Sequence, residues 1–270
     1  HSREQVPMGH DNEARMQFAA ELAKRAGDLG MEYFRRLDTL TIESKGHQDL
    51  VSEADRDVET FIRSALAEKY PDDAVVGEEH APTPGTSGYS WVLDPIDGTA
   101  NFVRGIPAWC VVIAGFRDGQ TDVGVIHEPS TGESFYGRRG GGAFLNGKPI
   151  RATGATSLTE GSLGTGFSNR AEANNVVGLI ADLLGQGGVY FRNASGALML
   201  AYVAAGRLLG YVEEHMNAWD CLAGMLLIEE AGGKVAPHPA EVLTKGTPVI
   251  VAGQGVYDKV EALAQAAFRS

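Results

Sequence analysis

The chain of 270 residues is long enough to bury a core in one large domain or two smaller ones, and its 43% hydrophobic and 21% charged residues are the balance of a globular protein. No apolar run approaches the length needed to span a bilayer, and a formal net charge of −12 argues against a nucleic-acid surface, which needs clustered Lys and Arg. His1 to Gly9 lacks the apolar stretch of a signal peptide and is set aside from fold reasoning, while Cys110 and Cys221 lie in apolar segments, as buried thiols of a reducing cytoplasm do.

Along the chain, Met16, Ala19, Leu22, Ala26, Leu29 and Tyr33 recur at helical spacing and predict a helix over 11–36 with one buried face. Lys45 to Gln48 reads as a polar turn, and Ala54 to Lys69 restores the helical period until Tyr70-Pro71 ends it. Val75-Val76 is a short strand that presents Glu78 and Glu79 at its end, and the Pro and Gly content of 81–89 predicts a loop. Trp91-Val92-Leu93 is apolar and branched, a buried strand delivering Asp94 to its edge, where Pro95 is expected to stop the ladder. Strands near 109–116, 122–127 and 133–137, parted by Asp118-Gly119 and Thr131-Gly132, predict an antiparallel meander. Gly140-Gly141-Gly142 could pass for a phosphate loop, but no helix-forming stretch follows, and Asn146-Gly147 signals a hairpin with a type I′ turn. After Thr153-Gly154, helices near 170–186, 194–206 and 218–231 alternate with strands near 160–166, 188–191, 208–213 and 248–252. This predicts a helix pair plus antiparallel sheet over 11–153 and a mixed α/β layer over 154–268, with no internal repeat.

The segment Asp94-Pro95-Ile96-Asp97-Gly98-Thr99 packs two carboxylates, a rigid turn and a hydroxyl into six positions. Two carboxylates held that close repel, and a hard divalent cation with oxygen ligands removes the repulsion, so the segment has the outline of a metal-dependent phosphate site. An ordinary turn would also use Asp, Pro and Gly, but it has no need of Thr99 and Asn101.

With Asn101-Phe102 after it, this stretch resembles the signature of the inositol monophosphatase family, lithium-sensitive magnesium phosphatases that carry Asp-Pro-Ile/Leu-Asp-Gly-Thr, a variable residue and Asn-Phe. The family's other motifs stand in order: Asp49-Leu50-Val51-Ser52-Glu53-Ala54-Asp55, Gly77-Glu78-Glu79, Trp219-Asp220-Cys221-Leu222-Ala223-Gly224 and Glu230-Ala231-Gly232-Gly233. The resemblance covers about residues 14 to 265 and implies a layered α-β-α-β-α sandwich of the α/β class, and a homodimer. It implies one magnesium ion on Glu78, Asp94 and the Ile96 carbonyl, and a second on Asp94, Asp97 and Asp220. It makes Thr99 the partner of the attacking water, Asp55 the carboxylate behind the threonine and Glu78 its helper. Asp55 on its own could equally be a helix cap. Phosphate contacts fall to Gly98 and Thr99, and substrate hydroxyls to Asp97, Glu213 and the segment Ala194-Ser195-Gly196, where the family usually has Gly-Ser/Thr-Ala. Lys45 and Asp49 lie on a loop that could place a third ion, although the spacing between them is one residue short of the family's. His215 beside an acidic pair reads as a surface residue rather than a ligand.

The expected activity is therefore magnesium-dependent hydrolysis of inositol monophosphate or a similar polyol phosphate ester. Histidinol-phosphate phosphatase, fructose-1,6-bisphosphatase and nucleotide 3′-phosphatase are the alternatives within the superfamily. Asn101-Phe102 favours the inositol branch, and Gly105-Ile106-Pro107-Ala108-Trp109 pulls slightly toward histidinol phosphate. A non-catalytic binding module, of the kind a bacterial relative forms in transcription complexes, is disfavoured by the intact ligand set and the acidic charge.

Overall fold

A computed structural model describes residues 8–46 and 49–268, with side chains for 11–46 and 52–268. Helix α1 (Met8–Phe34) buries the stripe Met16, Ala19, Leu22, Ala23 and Ala26. Next comes a hairpin where only a turn was expected: β1 (Ile42–Gly46) pairs antiparallel with β2 (Asp49–Ser52), and residues 47 and 48 of that turn lie outside the described residues. Strand β1 is exposed along its length, so it has no alternation of burial to betray it. Helix α2 (Glu53–Lys69) follows at once.

Strand β3 (Ala74–Gly77) runs parallel to β4 (Ser90–Asp97), so the first sheet is not wholly antiparallel as expected. Pro95 does not end β4 either. Lacking an N–H, it shifts the register with the next strand between Asp94 and Asp97, and pairing resumes at Asp97 with Cys110. A short helix α3 (Thr99–Val103) leads to the meander β5 (Cys110–Arg117), β6 (Gln120–Glu128), β7 (Glu133–Arg138), β8 (Gly142–Leu145) and β9 (Lys148–Pro149). Asn146 and Gly147 have φ of 48° and 83°, the two positive values of a type I′ turn.

The second half runs β10 (Ser162–Thr165), α4 (Ala173–Gly185), β11 (Val189–Phe191), α5 (Gly196–Ala204), β12 (Gly210–Met216), α6 (Ala218–Glu230), β13 (Lys234–Val235), α7 (Val242–Lys245), β14 (Thr247–Ala252) and α8 (Tyr257–Ala267). Its sheet has the order β11-β10-β12-β14-β13. Helices α1 and α2 cover the outer face of the first sheet, α5 and α6 lie between the sheets, and α4 and α8 cover the second, giving α-β-α-β-α layers. Helix α6 is buried on all sides because it faces both sheets, which is why Cys221 through Ile228 read as one apolar run. Gly224 makes its contact with α5 possible, since a Cβ there would meet Leu200 Cβ at 2.4 Å. The inter-sheet core draws on both sides of residue 153, joining Val92, Val112 and Phe135 to Leu200, Leu222 and Val249. Among the described residues no helix is long and apolar enough to cross a membrane.

Candidate active site

The site forms where β3, β4, α2, α3, α5 and α6 end or begin. β3 ends at Gly77, one residue before Glu78, and β4 carries Asp94, Ile96 and Asp97 through its bulge. Gly98 turns the chain into α3 with φ of 94°, and a Cβ there would stand 2.9 Å from the Ala108 carbonyl, so no larger residue fits. Asp220 enters in the first turn of α6. Glu78, Asp94, Ile96, Asp97, Gly98, Thr99, Ala194, Asn217 and Asp220 line a cavity of about 190 Å³.

Within it, Glu78, Asp94 and Asp220 place ligand oxygens within 4.8 Å of one another. Asp94 Oδ1 is buried with no hydrogen-bond partner among the described residues, which is costly unless a cation is there to receive it. Burial, with repulsion among the carboxylates, pushes Glu78 and Asp94 well above the usual carboxylate range, and burial takes Asp220 to about 7. An all-oxygen set of hard, mutually repelling carboxylates fits magnesium. Asp97 stands beside the trio with its roles divided: Oδ2 accepts from Ser195 Oγ at 2.6 Å and from the Ala197 N–H at 2.9 Å, capping α5 from across the sheet. Asp97 also lines the cavity.

Thr99 Oγ1 lies 2.7 Å from Asp55 Oδ1 and 3.1 Å from the Ile96 carbonyl. The other Asp55 oxygen accepts from the backbone N–H of Ser52 at 2.9 Å and from its hydroxyl at 2.6 Å. Asp55 is thus a cap and a threonine partner at once. Burial raises its pKa while these hydrogen bonds oppose the shift.

The remaining candidates are placed differently. Ala194 lines the cavity with φ of 67°, the left-handed region that suits glycine. Ser195 and Gly196 are not among the lining residues: the Ser195 hydroxyl is spent on Asp97, and Gly196 begins α5 against Met216. Glu213 is also off the lining, accepting from the Tyr211 hydroxyl at 2.6 Å, and burial raises it to about 7. Lys45 lies 3.8 Å from Glu78 and 3.6 Å from Glu79. A protonated amine donates and cannot ligate, so Lys45 balances charge here rather than holding an ion. The side chain of Asp49 lies outside the described residues. His215 accepts at Nδ1 from Arg170 Nε at 3.0 Å and meets the Lys245 carbonyl with Nε2 at 2.7 Å, away from the acidic trio.

The sequence singles out Asn101 without its contacts, and gives no sign of a nearby basic surface. Asn101 donates to the Ala108 and Asn193 carbonyls at 2.8 and 2.7 Å, tying the loop that carries Ala194 to α3. Arg170 lines the acidic cavity and joins Arg104 and Arg192 around an adjoining cavity of about 1030 Å³ in which no carboxylate stands among the described lining residues. The absence of a basic cluster in sequence therefore hid a local basic surface, because the three arginines come from distant segments.

The sequence pattern of the inositol monophosphatase family matches residues 11–267. The chain belongs to that family. The Nus factor SuhB of Pseudomonas aeruginosa is 39% identical over 247 residues, covering 88% of this chain and 90% of its own. The inositol-1-monophosphatase of Rhizobium meliloti is 39% identical over 212 residues, covering 77% and 80%. The crystal structure of the extragenic suppressor protein suhB from Bartonella henselae superposes with a TM-score of 0.88 at 31% identity, over 93% of this chain and 98% of that one. Membership of the inositol monophosphatase family supports phosphatase activity, and the family uses magnesium, which the acidic trio fits.

Proposed function

We propose that the chain is a magnesium-dependent phosphomonoesterase hydrolysing inositol monophosphate or a similar polyol phosphate. The observation that carries this reading is the meeting of the Thr99–Asp55 pair with the Glu78, Asp94 and Asp220 oxygens at one cavity. Glu78, Asp94 and the Ile96 carbonyl would hold one ion, and Asp94, Asp97 and Asp220 a second. When bound, magnesium supplies the charge that acidifies a water and neutralises the phosphate and the leaving oxygen. Thr99 accepts the proton of that water as it passes its own to Asp55, whose burial makes it a better base than an exposed carboxylate. Glu78 assists from across the cavity. Gly98 and Thr99 line the cavity, so their N–H groups can meet the phosphate, and Asp97, which lines it too, would meet a substrate hydroxyl.

The unpaired, buried Cys110 and Cys221 agree with a reducing cytoplasm. A homodimer is supported by β11, an edge strand whose Val189, Tyr190 and Phe191 are 52%, 50% and 38% exposed.

A second reading, a bisphosphatase of the fructose-1,6-bisphosphate kind, is favoured by one observation. Arg104, Arg170 and Arg192 line the cavity next door, where a second phosphate could reach. A turnover panel of inositol monophosphate, fructose 1,6-bisphosphate, histidinol phosphate and a nucleotide 3′-phosphate, with magnesium and with chelator, separates the readings. The highest kcat/KM is expected on inositol monophosphate and no turnover without magnesium. A preference for the bisphosphate or for histidinol phosphate would overturn the inositol assignment and leave the metal mechanism standing.

A further inference from the structure

Glu59 is fully buried on α2 and touches no substrate-facing group, yet its carboxylate is committed to the loop that carries Glu78. Oε1 accepts the Glu79 N–H at 3.0 Å and Oε2 the His80 N–H at 2.9 Å. Arg63, one turn further along α2, fixes Oε2 from the other side at 3.0 Å. The same guanidinium donates to the His80 carbonyl at 3.2 Å and to Thr83 Oγ1 at 3.1 Å. The His80 ring meets the Arg56 carbonyl and the Thr60 hydroxyl, each at 3.1 Å. Arg56, Glu59, Thr60 and Arg63 fall at helical positions i, i+3, i+4 and i+7, so a single face of α2 clamps residues 79–83. Gly77 leaves the room for this, because a Cβ there would stand 2.5 Å from Glu59 Oε1.

A segment just after a strand end would otherwise leave two amides inside the protein without acceptors, and Glu78 free to swing away from Asp94 and Asp220. Carboxylate oxygens within 4.8 Å of one another repel. Besides Lys45, 3.8 Å from Glu78, resistance to that repulsion has to come from the backbone on either side of Glu78. On the N-terminal side β3 holds it, through pairing of Gly77 with Leu93. On the C-terminal side Glu59 does.

We infer that Glu59 is a positioning residue of the metal site: by holding the Glu79 and His80 amides, it sets the backbone that aims Glu78 at Asp94 and Asp220. Helix α2 then carries both halves of the catalytic arrangement, Asp55 behind Thr99 and, one turn later, Glu59 behind Glu78. The inference rests on the magnesium reading above, and goes beyond it in naming a residue that neither the motifs nor the cavity lining includes.

The test is Glu59→Gln in the full chain, which keeps the size of the side chain but sets an NH2 group against one of the two amides. Magnesium binding, measured with the metal ion alone by calorimetry, is expected to weaken by about tenfold or more, the usual effect of removing a residue that orients a ligand. Hydrogen exchange at the Glu79 and His80 amides is expected to accelerate, with exchange in the β5–β7 core unchanged. If Glu59→Gln does not fold, Arg63→Met removes the donor that fixes Glu59 and is expected to move the same two readouts in the same direction by less. Faster exchange with unchanged magnesium affinity would reduce Glu59 to a loop anchor and overturn the inference, as would a global loss of protection that accounts for all of the affinity change. A wild-type chain that binds no magnesium would overturn the metal reading itself, and this inference with it.

Discussion

A threonine hydroxyl has one proton, and at Thr99 two acceptors compete for it, Asp55 at 2.7 Å and the Ile96 carbonyl at 3.1 Å. The shorter, charge-assisted bond wins, which leaves the Thr99 lone pairs to receive a proton from water. Thr99→Ala is therefore expected to lower turnover by about 10²-fold with magnesium affinity nearly intact, since none of the acidic trio is touched. Steady-state kinetics beside a magnesium titration check this, and unimpaired turnover would leave Glu78 alone with the water. Ala194 poses the opposite case, a residue strained by its own Cβ. At φ of 67° an alanine costs roughly 1 kcal/mol relative to glycine, more than the extra unfolded-state freedom of glycine takes back. Ala194→Gly should raise the thermal midpoint by about 1–3 °C in differential scanning calorimetry, and a lower midpoint would mean that the Ala194 methyl packs usefully.

At the scale of elements, the bulge in β4 and the turn into α3 set the spacing of Asp94, Asp97 and Thr99 together. Pro95 breaks the register, and Gly98 reverses direction in a conformation open only to glycine because the Ala108 carbonyl closes the space. Gly98→Ala should destabilise the chain by about 1–2 kcal/mol through strain and contact, and should cost more in turnover than Ala194→Gly because it displaces Thr99 directly. Paired thermal melts and kinetics test it, and full activity in a destabilised variant would show that α3 can shift without moving the hydroxyl. Helices α1, α2 and α6 and the meander are legible in the sequence because their burial is periodic or continuous. Strand β1 and the short helices α3 and α7 are not, because an exposed strand shows no alternation and a helix of four or five residues carries no full period. Helix α8 does bury Val260, Leu263 and Ala264, but its alanine-rich stretch dilutes the contrast between faces.

For the molecule as a whole, the acidic site stores a cost that pH and magnesium should reveal. Burial raises Asp220 and Glu213 to about 7 and moves Asp55, Glu78, Asp94 and Asp97 the same way. A carboxyl with a raised folded-state pKa binds its proton more tightly folded than unfolded. The stability it contributes is fully present below its ordinary value near 4 and is lost as pH rises through about 7. The metal-free chain should thus melt lower at about pH 8 than at about pH 5.5, against the opposing pull of the buried His127, held down to about 4. Magnesium favours the ionised carboxylates, so its stabilisation should be larger at the higher pH. Melting curves in chelator and in magnesium at both pH values check both signs, and a metal-free chain equally stable at the two would mean that the carboxylates relax into solvent.

The sequence by itself determined the family, the layered α/β class and the cluster of motif carboxylates, because turn chemistry, helical period and a six-residue metal signature are local patterns. It also contained the departure at Ala194, though not its consequence. Only the tertiary structure decided that Ser195 turns to Asp97 instead of the cavity, that Lys45 pairs with Glu78 and Glu79, and that Asn101 ties down the loop before Ala194. It alone brought Arg104, Arg170 and Arg192 together in a chain of net charge −12, and placed Glu59 behind Glu78. Those placements depend on which distant segments share a wall or a hydrogen bond, and polar side chains that meet this way leave no periodicity along the chain.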